Sequence, residues 1–341
     1  MKVRLLATSD PAWPAVLRRC AHDCYHTPGW LRAAEYGDRG TAWGLYASEG
    51  DAELLVPLVR RELDGGSWDA VSPYGYGGPI LSASATQDFA DAALRQAVGM
   101  LRSAGCVSWF IRLHPLLNAG WRSAVGEVVE QGLTVSVDLT RSEAEHWRDT
   151  AHGHRSDINK AQRAGVTVRI DESFVALGRF VALYTQSMHR LEAPAYYHFD
   201  ERYYQTLCRE MGPCLRLFVA EEAGAVIGAA LLTVAPSVGI LQGHLYGADE
   251  RCLHRQPLKL LIDAQRAWGR EQGYRVLNLG GGRGGQVQDS LFRFKRGFSP
   301  DTHVFRTQRL IVDPRRYAAL CRGGKGRELE DLRGYFPAYR R

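Results

Sequence analysis

The sequence has no run of residues long and apolar enough to cross a bilayer. Its most apolar stretch, residues 226–240, is interrupted by Gly, Thr, Pro and Ser, whereas a membrane-spanning helix needs about 20 apolar residues. Residues 1–17 have only a short apolar core before polar residues and two prolines, which does not suit a secretory signal. We therefore expect a cytoplasmic protein without an integral membrane segment.

The sequence also lacks the cysteine patterns of disulfide-rich and zinc-binding proteins. Its seven cysteines are scattered and odd in number, and they form neither a disulfide framework nor a CxxC pair. Cys20 and Cys24 lie beside His22 and His26, but no second ligand pair follows downstream. Because a structural zinc ion needs four ligands, we expect no metal site.

What the sequence does contain is one order of predicted elements that occurs twice. In the first half, we predict strands at 42–46, 53–59 and 68–72, a glycine-rich loop at 74–79, a helix at 86–105 and a strand at 107–113. In the second half, we predict a helix at 172–188, strands at 215–221, 226–234 and 239–245, a loop at 247–256, a helix at 258–272 and a strand at 276–279. This is the strand and helix order of the GNAT acyltransferase core. We therefore expect an α/β protein with mixed sheets and two tandem GNAT-like domains.

The length of 341 residues suits two domains of moderate size. We expect the first over residues 1–139, the second over 140–312 with most of the active site, and a basic C-terminal segment over 313–341. No Pro-, Gly- or Ser-rich linker separates the halves. The C-terminal segment could be a packed helix with a loose tail or a nucleic-acid contact, and a solvated terminus is favoured.

Charge gives a weak indication of the partner. The chain has 43 Lys and Arg against 37 Asp and Glu, a net charge of +6. This balance favours anionic partners such as RNA or phosphorylated substrates, although many enzymes carry a similar excess. DNA is not expected as a partner.

Three stretches of the second half resemble the Fem family of aminoacyl-tRNA-dependent transferases. They are HRSDINKAQRAGV at 154–166, VLNLGGG at 276–282 and LFRFKRGF at 291–298. SPYGYGGP at 72–79 and RLHP at 112–115 are similar to FemAB-like relatives. The chain has no heptad-patterned insertion, so we expect no coiled-coil arm, and it has Asn278 where many relatives have Asp. The resemblance implies an amide-forming transferase in which Phe294 and Lys295 belong to the catalytic site.

Lys295 is also the best catalytic candidate on chemical grounds. Acyl transfer to an amine forms a tetrahedral oxyanion that needs a cation or N–H donors. Lys295 lies between Phe294 and Phe298 in the sequence, and a partly desolvated ammonium interacts more strongly with a developing charge. The alternative is a surface lysine beside two core aromatics. Arg283, within GGGRGG, is a candidate anion contact, and a flexible turn is the alternative for that run. No general base can be identified.

Acceptor binding is expected from Arg190, Tyr196, Tyr197 and Tyr246. Arg190 precedes the aromatic stretch APAYYHF, and a guanidinium suits a phosphate or carboxylate. The resemblance implies an arginine and tyrosines in this region, while any single tyrosine could serve packing alone.

The candidate tRNA contacts are Arg155, Lys160 and Arg163, on about one face of a predicted helix. A solvated helix face is the alternative.

The donor is predicted from the absence of a glycine-containing turn that could bind the pyrophosphate of coenzyme A. GNAT enzymes that use acetyl-CoA bind its pyrophosphate with a glycine-containing turn at a helix N-terminus, but residues 249–259 contain no glycine. We therefore expect aminoacyl-tRNA as co-substrate, no bound cofactor, and an amine acceptor that is a peptidoglycan precursor or a specialised metabolite. The alternatives are an acyl-CoA-dependent N-acyltransferase using acetyl-CoA and a non-catalytic RNA-binding GNAT pair.

Overall fold

A computed structural model describes residues 1–323 and 332–341. Numbered in chain order, the strands are β1 (Lys2–Ala7), β2 (Thr41–Glu49), β3 (Ala52–Glu62), β4 (Trp68–Val71), β5 (Ile80–Leu81), β6 (Cys106–Arg112), β7 (Glu127–Asp138), β8 (Thr167–Asp171), β9 (Leu215–Glu222), β10 (Ala225–Ala235), β11 (Ile240–Ala248), β12 (Val276–Gly281) and β13 (Thr302–Ile311). The helices are α1 (Ala12–Leu17), α2 (Pro28–Asp38), α3 (Gln87–Ser103), α4 (Glu143–Asp149), α5 (His152–Arg163), α6 (Leu177–Arg190), α7 (Glu201–Met211), α8 (Pro257–Glu271), α9 (Ser290–Arg296) and α10 (Pro314–Gly323).

The chain forms two compact units that divide at other residues than the sequence suggests. The first unit is Met1–Gln131 with Val304–Arg341, and the second unit is Gly132–His303. Most of the strand that ends near residue 139 lies in the second unit, where β7 pairs with β12. Most of the strand before residue 313 lies in the first unit, where β13 pairs with β6. The units therefore do not divide at 139 and 312 as expected, and the first unit is built from both ends of the chain.

Each unit contains a six-stranded sheet with the same order of connections. The first unit has the order β1-β2-β3-β4-β6-β13, and the second has β8-β9-β10-β11-β12-β7. In each sheet the fourth and fifth strands are parallel, and the other neighbouring pairs within it are antiparallel. A parallel pair needs a crossover, which α3 and α8 provide. The prediction of two tandem GNAT-like domains is confirmed.

Most predicted elements of the second unit occur at the expected places, but the helix expected over 172–188 begins later. Phe174 has a positive φ of 55°, a conformation that does not continue a helix. The Asp171 carboxylate accepts a hydrogen bond from the Ala176 backbone N–H at 2.6 Å. This turn delays the helix start to Leu177.

The second unit buries apolar side chains between its sheet and its helices. Leu241 and Leu277 on the sheet pack in one cluster with Leu260 and Leu261 of α8. Strand neighbours point to opposite faces of a sheet, and α6 covers the other face of β11. A Cβ added at Gly247 would lie 2.4 Å from the Tyr184 backbone nitrogen of α6. The sheet is therefore packed on both faces.

The C-terminal segment is packed rather than solvated in its described part. Tyr317, Cys321 and Phe336 are buried with Val107 of β6, and Arg340 forms an ion pair with buried Asp69 at 2.5 Å. The apolar side chains of α10 explain this, since they lie on one side of the helix. The preference for a solvated terminus is wrong for these residues. Residues 324–331 of the expected basic segment lie outside the described residues.

Two features are absent from the described part of the chain. Among residues 1–323 and 332–341, no helix combines the length and the apolar character that crossing a membrane requires. In the same ranges, no group of three His, Cys, Asp or Glu side chains is placed to hold a metal ion.

Gly247→Ala should destabilise the protein, because the new methyl group would overlap the backbone of α6. We expect the free energy of unfolding to fall by about 1–3 kcal/mol. Gly178→Ala is the matched control, since nothing lies within 4 Å of its added Cβ and alanine favours a helix. Denaturant unfolding of both variants measures this. Equal stability of the two variants would contradict the close packing of α6 on β11.

Candidate active site

The candidate site is built around the carboxyl end of β12. Asn278 is buried, and its side-chain oxygen accepts a hydrogen bond from the Gly280 backbone N–H at 3.0 Å. Gly280 has a φ of 73°, a conformation that a side chain disfavours. The chain leaves the strand here and enters the glycine-rich loop 280–285.

Asp289 ties this loop to α9. One of its carboxylate oxygens accepts from the backbone N–H groups of Arg283, at 3.1 Å, and Phe292, at 2.9 Å. A Cβ at Gly282 would lie 2.2 Å from the same oxygen, so glycine is required for this approach. The second bond caps the N-terminus of α9, as an aspartate at that position commonly does. The loop and the helix are thereby held as one piece.

Lys295 reaches back from α9 to the end of β12. Its ammonium Nζ donates a hydrogen bond to the Gly281 carbonyl oxygen at 2.6 Å, and the side chain is half-buried. Burial lowers the pKa of Lys295 to about 8, and the negative charge of Asp289 acts in the opposite direction. The group is mostly protonated at neutral pH. A cation with reduced hydration therefore lies at the end of the strand.

The phenylalanines beside Lys295 in the sequence pack on a histidine as well as on the apolar core. The His154 ring lies 4.8 Å from the Phe298 ring and 5.5 Å from the Phe294 ring. His154 Nε2 is 2.8 Å from the Phe294 carbonyl oxygen, to which it can donate. These contacts dock α9 onto the start of α5. Phe294 and Phe298 thus position the helix that carries Lys295.

Two arginines predicted to bind anions come together at the end of α6. Arg283 is exposed, and its guanidinium donates to the Leu191 carbonyl oxygen at 3.0 Å. Arg190 is the preceding residue and is also exposed, in the last turn of α6. The loop after β12 therefore places Arg283 beside the region of Arg190.

Tyr196 and Tyr197 follow α6 closely. Their rings are 5.5 Å apart in an edge-on arrangement, and Tyr196 is exposed. The Tyr184 hydroxyl of α6 donates to the Tyr197 carbonyl oxygen at 2.9 Å. The four residues Arg190, Arg283, Tyr196 and Tyr197 therefore flank one helix terminus and remain candidates for acceptor binding.

Tyr246 lies elsewhere. Its hydroxyl donates to the Gln265 side-chain oxygen of α8 at 2.6 Å, and its ring packs on the core cluster beneath that helix. Burial raises the pKa of Tyr246 well above its ordinary value. The structure therefore places Tyr246 on the opposite sheet face from α6, and not with the other predicted acceptor residues.

The three predicted tRNA contacts of α5 differ in exposure. Lys160 and Arg163 are exposed, whereas Arg155 is half-buried. The Arg155 guanidinium donates to the Trp147 carbonyl oxygen at 3.0 Å, near the end of α4. Lys160 and Arg163 are thus the two residues of this set that face solvent.

Known proteins share this architecture. Residues 148–296 match the family of the Acetyltransferase (GNAT) domain. The crystal structure of FemX superposes with a TM-score of 0.70 and 11% identity, covering 94% of this chain and 99% of that chain. L-PGS from Bacillus licheniformis gives a TM-score of 0.57 and 16% identity, with 87% of this chain and 91% of that chain covered.

The C-terminal domain of a putative lysylphosphatidylglycerol synthetase from Agrobacterium fabrum is also similar. It has a TM-score of 0.55 and 17% identity, and 86% of this chain and 88% of that chain are covered. No curated protein matches the sequence. The structural likenesses, with the match over residues 148–296, show that the chain has a Fem-like tandem GNAT fold.

The sequence patterns did not assign His154 or Asp289 to the site. The signal for Asp289 was present, because Asp three residues before Phe292 is a typical helix N-cap pattern. His154 contacts α9 across 140 residues of chain, which a local pattern does not reveal.

Replacing Lys295 should change stability in a pH-dependent way. Folding lowers the Lys295 pKa from 10.5 to about 8, so the cost of burying the charge is present in full below pH 8. Between pH 8 and 10.5 the unfolded chain binds the additional proton, and stability rises with pH. Lys295→Met should therefore be more stable than the wild type at pH 7, by an amount that shrinks as the pH approaches 10.5.

Denaturant unfolding at pH 7, 9 and 10.5 measures this difference. Lys160→Met is the control, because Lys160 is already exposed in the folded protein, and its effect should be small at every pH. A Lys295→Met difference that does not vary with pH would contradict the lowered pKa.

Proposed function

We propose that the protein transfers an amino acid from aminoacyl-tRNA to the amine of a small molecule and forms an amide bond. The observation that carries this proposal is the half-buried Lys295 ammonium, hydrogen-bonded at 2.6 Å to the Gly281 carbonyl oxygen where β12 ends. Acyl transfer requires a positive group where the carbonyl oxygen becomes negative. The Fem-like tandem GNAT fold and the match to a GNAT acetyltransferase domain support acyl transfer as the reaction class.

The proposed reaction is a direct displacement. The acceptor nitrogen attacks the ester carbonyl carbon, and the oxygen gains negative charge that Lys295 stabilises. The bond between that carbon and the tRNA ribose oxygen then breaks, an amide remains, and the proton lost by the amine is taken up by the ribose oxygen. Removing one donor from an oxyanion site costs about 10²–10³-fold in kcat.

The start of α8 supports a donor other than coenzyme A. Gln256 adopts a left-handed conformation with φ 55°, and Pro257 is the first helical residue. Proline has no N–H to offer a phosphate. Lys259 is in an ion pair with Asp157. The usual phosphate-binding features of a helix N-terminus are therefore reduced at this place.

The acceptor is proposed to lie at the end of α6. Arg190 and Arg283 are exposed there, and Tyr196 offers an exposed ring. Two guanidinium groups suit a phosphate or carboxylate on the acceptor. A peptidoglycan precursor and an anionic specialised metabolite both fit this chemistry.

A coenzyme-A-dependent N-acyltransferase is the second candidate function. The match of residues 148–296 to the acetyltransferase domain favours it. Binding of acetyl-CoA, measured by calorimetry, separates the two, because tight binding favours the second candidate.

Incubation with total charged tRNA and candidate amines should yield a product heavier by one amino-acid residue, detected by mass spectrometry. Ribonuclease treatment of the charged tRNA should abolish this product.

Lys295→Met should lower kcat by about 10²–10³-fold, because the oxyanion loses its counter-charge, while RNA affinity stays nearly unchanged. Undiminished product after ribonuclease treatment would exclude the tRNA donor. If no substrate pair turns over, a non-catalytic RNA-binding role gains support instead.

The double variant Lys160→Glu, Arg163→Glu should weaken tRNA binding. Each lost phosphate contact lowers the slope of log affinity against log salt by about 1, so we expect a reduction of about 2. Fluorescence titrations with tRNA at several salt concentrations measure the slope. The matched control is Arg202→Glu, Arg209→Glu on α7, where both residues are exposed. Equal effects of the two double variants would refute a specific role for α5.

A further inference from the structure

The first unit contains two arginines that share a hydrogen-bond acceptor. Arg306 of β13 donates to the carbonyl oxygens of Ala119, at 2.7 Å, and Trp121, at 3.1 Å. Arg122 donates to the same Trp121 carbonyl oxygen at 2.9 Å. Because both guanidinium groups contact one oxygen atom, they lie close together. We call Arg122 and Arg306 the arginine pair.

The positive charges of the arginine pair are not neutralised within the described part of the chain. Neither guanidinium group has an ion-pair partner there, and both donate only to backbone carbonyl oxygens. Burial and the nearby charge of Arg122 lower the pKa of Arg306, and the charge of Glu130 acts in the opposite direction. Two like charges repel, and the repulsion grows as water is excluded from around them. An anion beside both groups would remove this repulsion.

The arginine pair retains donors for such an anion. The bonds to carbonyl oxygens use Nη1 of Arg122 and the two terminal nitrogens of Arg306. A guanidinium group has five N–H donors. Over residues 1–323 and 332–341, Nε and Nη2 of Arg122 and Nε of Arg306 therefore remain able to donate to a ligand.

The start of α3 holds the loop that carries Arg122. The Asp91 carboxylate accepts from the Ser123 hydroxyl at 2.7 Å and from the Ala124 backbone N–H at 3.0 Å. The Gln87 side-chain oxygen accepts from the Arg122 backbone N–H at 3.3 Å. Both oxygens of Asp91 are occupied by these donors, so its negative charge does not pair with Arg122. The loop is thus positioned before any ligand binds, which lowers the entropic cost of binding.

The arginine pair lines one of two adjoining clefts. This cleft has a volume of about 390 Å³, and the residues that line it with the pair include Gln87, Asp91, Trp121 and Val128. The second cleft, of about 260 Å³, shares Gln87 and Trp121 with the first. Its further lining is mainly apolar and includes Pro79, Ile80, Leu81 and Leu117. A positively charged cleft therefore adjoins an apolar one, a combination that suits a small molecule with an anionic and an apolar part.

We propose that the two clefts bind a small phosphate monoester, with its phosphate on the arginine pair and an apolar or aromatic group beside Leu117 and Trp121. The site lies in the first unit alone and is independent of the transfer reaction. A phosphate monoester is favoured over a carboxylate because it carries nearly two negative charges at neutral pH. Its oxygens can also accept from two guanidinium groups at once.

Phenyl phosphate and inorganic phosphate are the probes for this site. Calorimetric titration of the full chain at pH 8 should give saturable binding of phenyl phosphate with a Kd of about 1 mM or lower. Inorganic phosphate should bind about three- to tenfold more weakly, since it leaves the apolar cleft empty.

Variants of charged residues test the arginine pair. Arg122→Gln should weaken binding of phenyl phosphate at least about tenfold, because a charge-assisted bond is lost. Glu130→Gln removes a negative charge that acts on Arg306 and should tighten binding by about two- to threefold. This opposite change keeps the test decisive if Arg122→Gln disturbs the loop. Arg102→Gln, in the last turn of α3 at an exposed position, is the matched control and should bind as the wild type.

Leu117→Ala tests the apolar cleft. It should reduce the preference for phenyl phosphate over inorganic phosphate to about twofold or less, because apolar contact area is lost. The affinity for inorganic phosphate should stay the same, since the arginine pair is intact.

Three results would overturn the inference. The first is no saturable binding of either probe, and the second is equal binding by the wild type and Arg122→Gln. The third is displacement of phenyl phosphate by a single-stranded RNA oligonucleotide, which would assign the arginine pair to an RNA phosphodiester. Equal affinity of the wild type for the two probes would refute the apolar part of the site. Turnover of charged tRNA is measured separately, and its presence or absence leaves the phosphate site unaffected.

Discussion

The hydrogen bond from Lys295 to the Gly281 carbonyl oxygen joins the two parts of the candidate site. One part is the end of β12, and the other is the short helix α9. A seven-residue helix has little stability of its own, so its position depends on contacts at both ends. Asp289 fixes its start and His154 its end. The location of the ammonium follows from these contacts.

The architecture could largely be predicted because it is encoded locally. The runs around 215–221, 226–234 and 258–272 have the apolar spacing of strands and a helix, and β9, β10 and α8 form there. A helix between two parallel strands leaves few topologies open. The stretch LFRFKRGF also indicated Lys295 as a catalytic candidate, and the structure places this residue at the end of β12.

The remaining features depend on contacts between distant parts of the chain. Whether Tyr246 faced α6 or α8 depended on the strand irregularity at His244, which shifts the alternation of side chains. The packed C-terminal segment depended on a match between Phe336 and Val107, more than 200 residues apart. Sequence patterns report which residues are apolar or polar, but not which distant residue satisfies them.

The late position of β13 in the chain has a consequence for the order in which the two units fold during synthesis. The second unit is continuous from Gly132 to His303, so all its strands have been synthesised once that segment leaves the ribosome. The first unit begins earlier but needs β13 and the segment after it. Domains usually complete folding in the order of synthesis. Here the half that begins first finishes last, and until Thr302–Ile311 emerges, the edge of β6 must remain unpaired with β13.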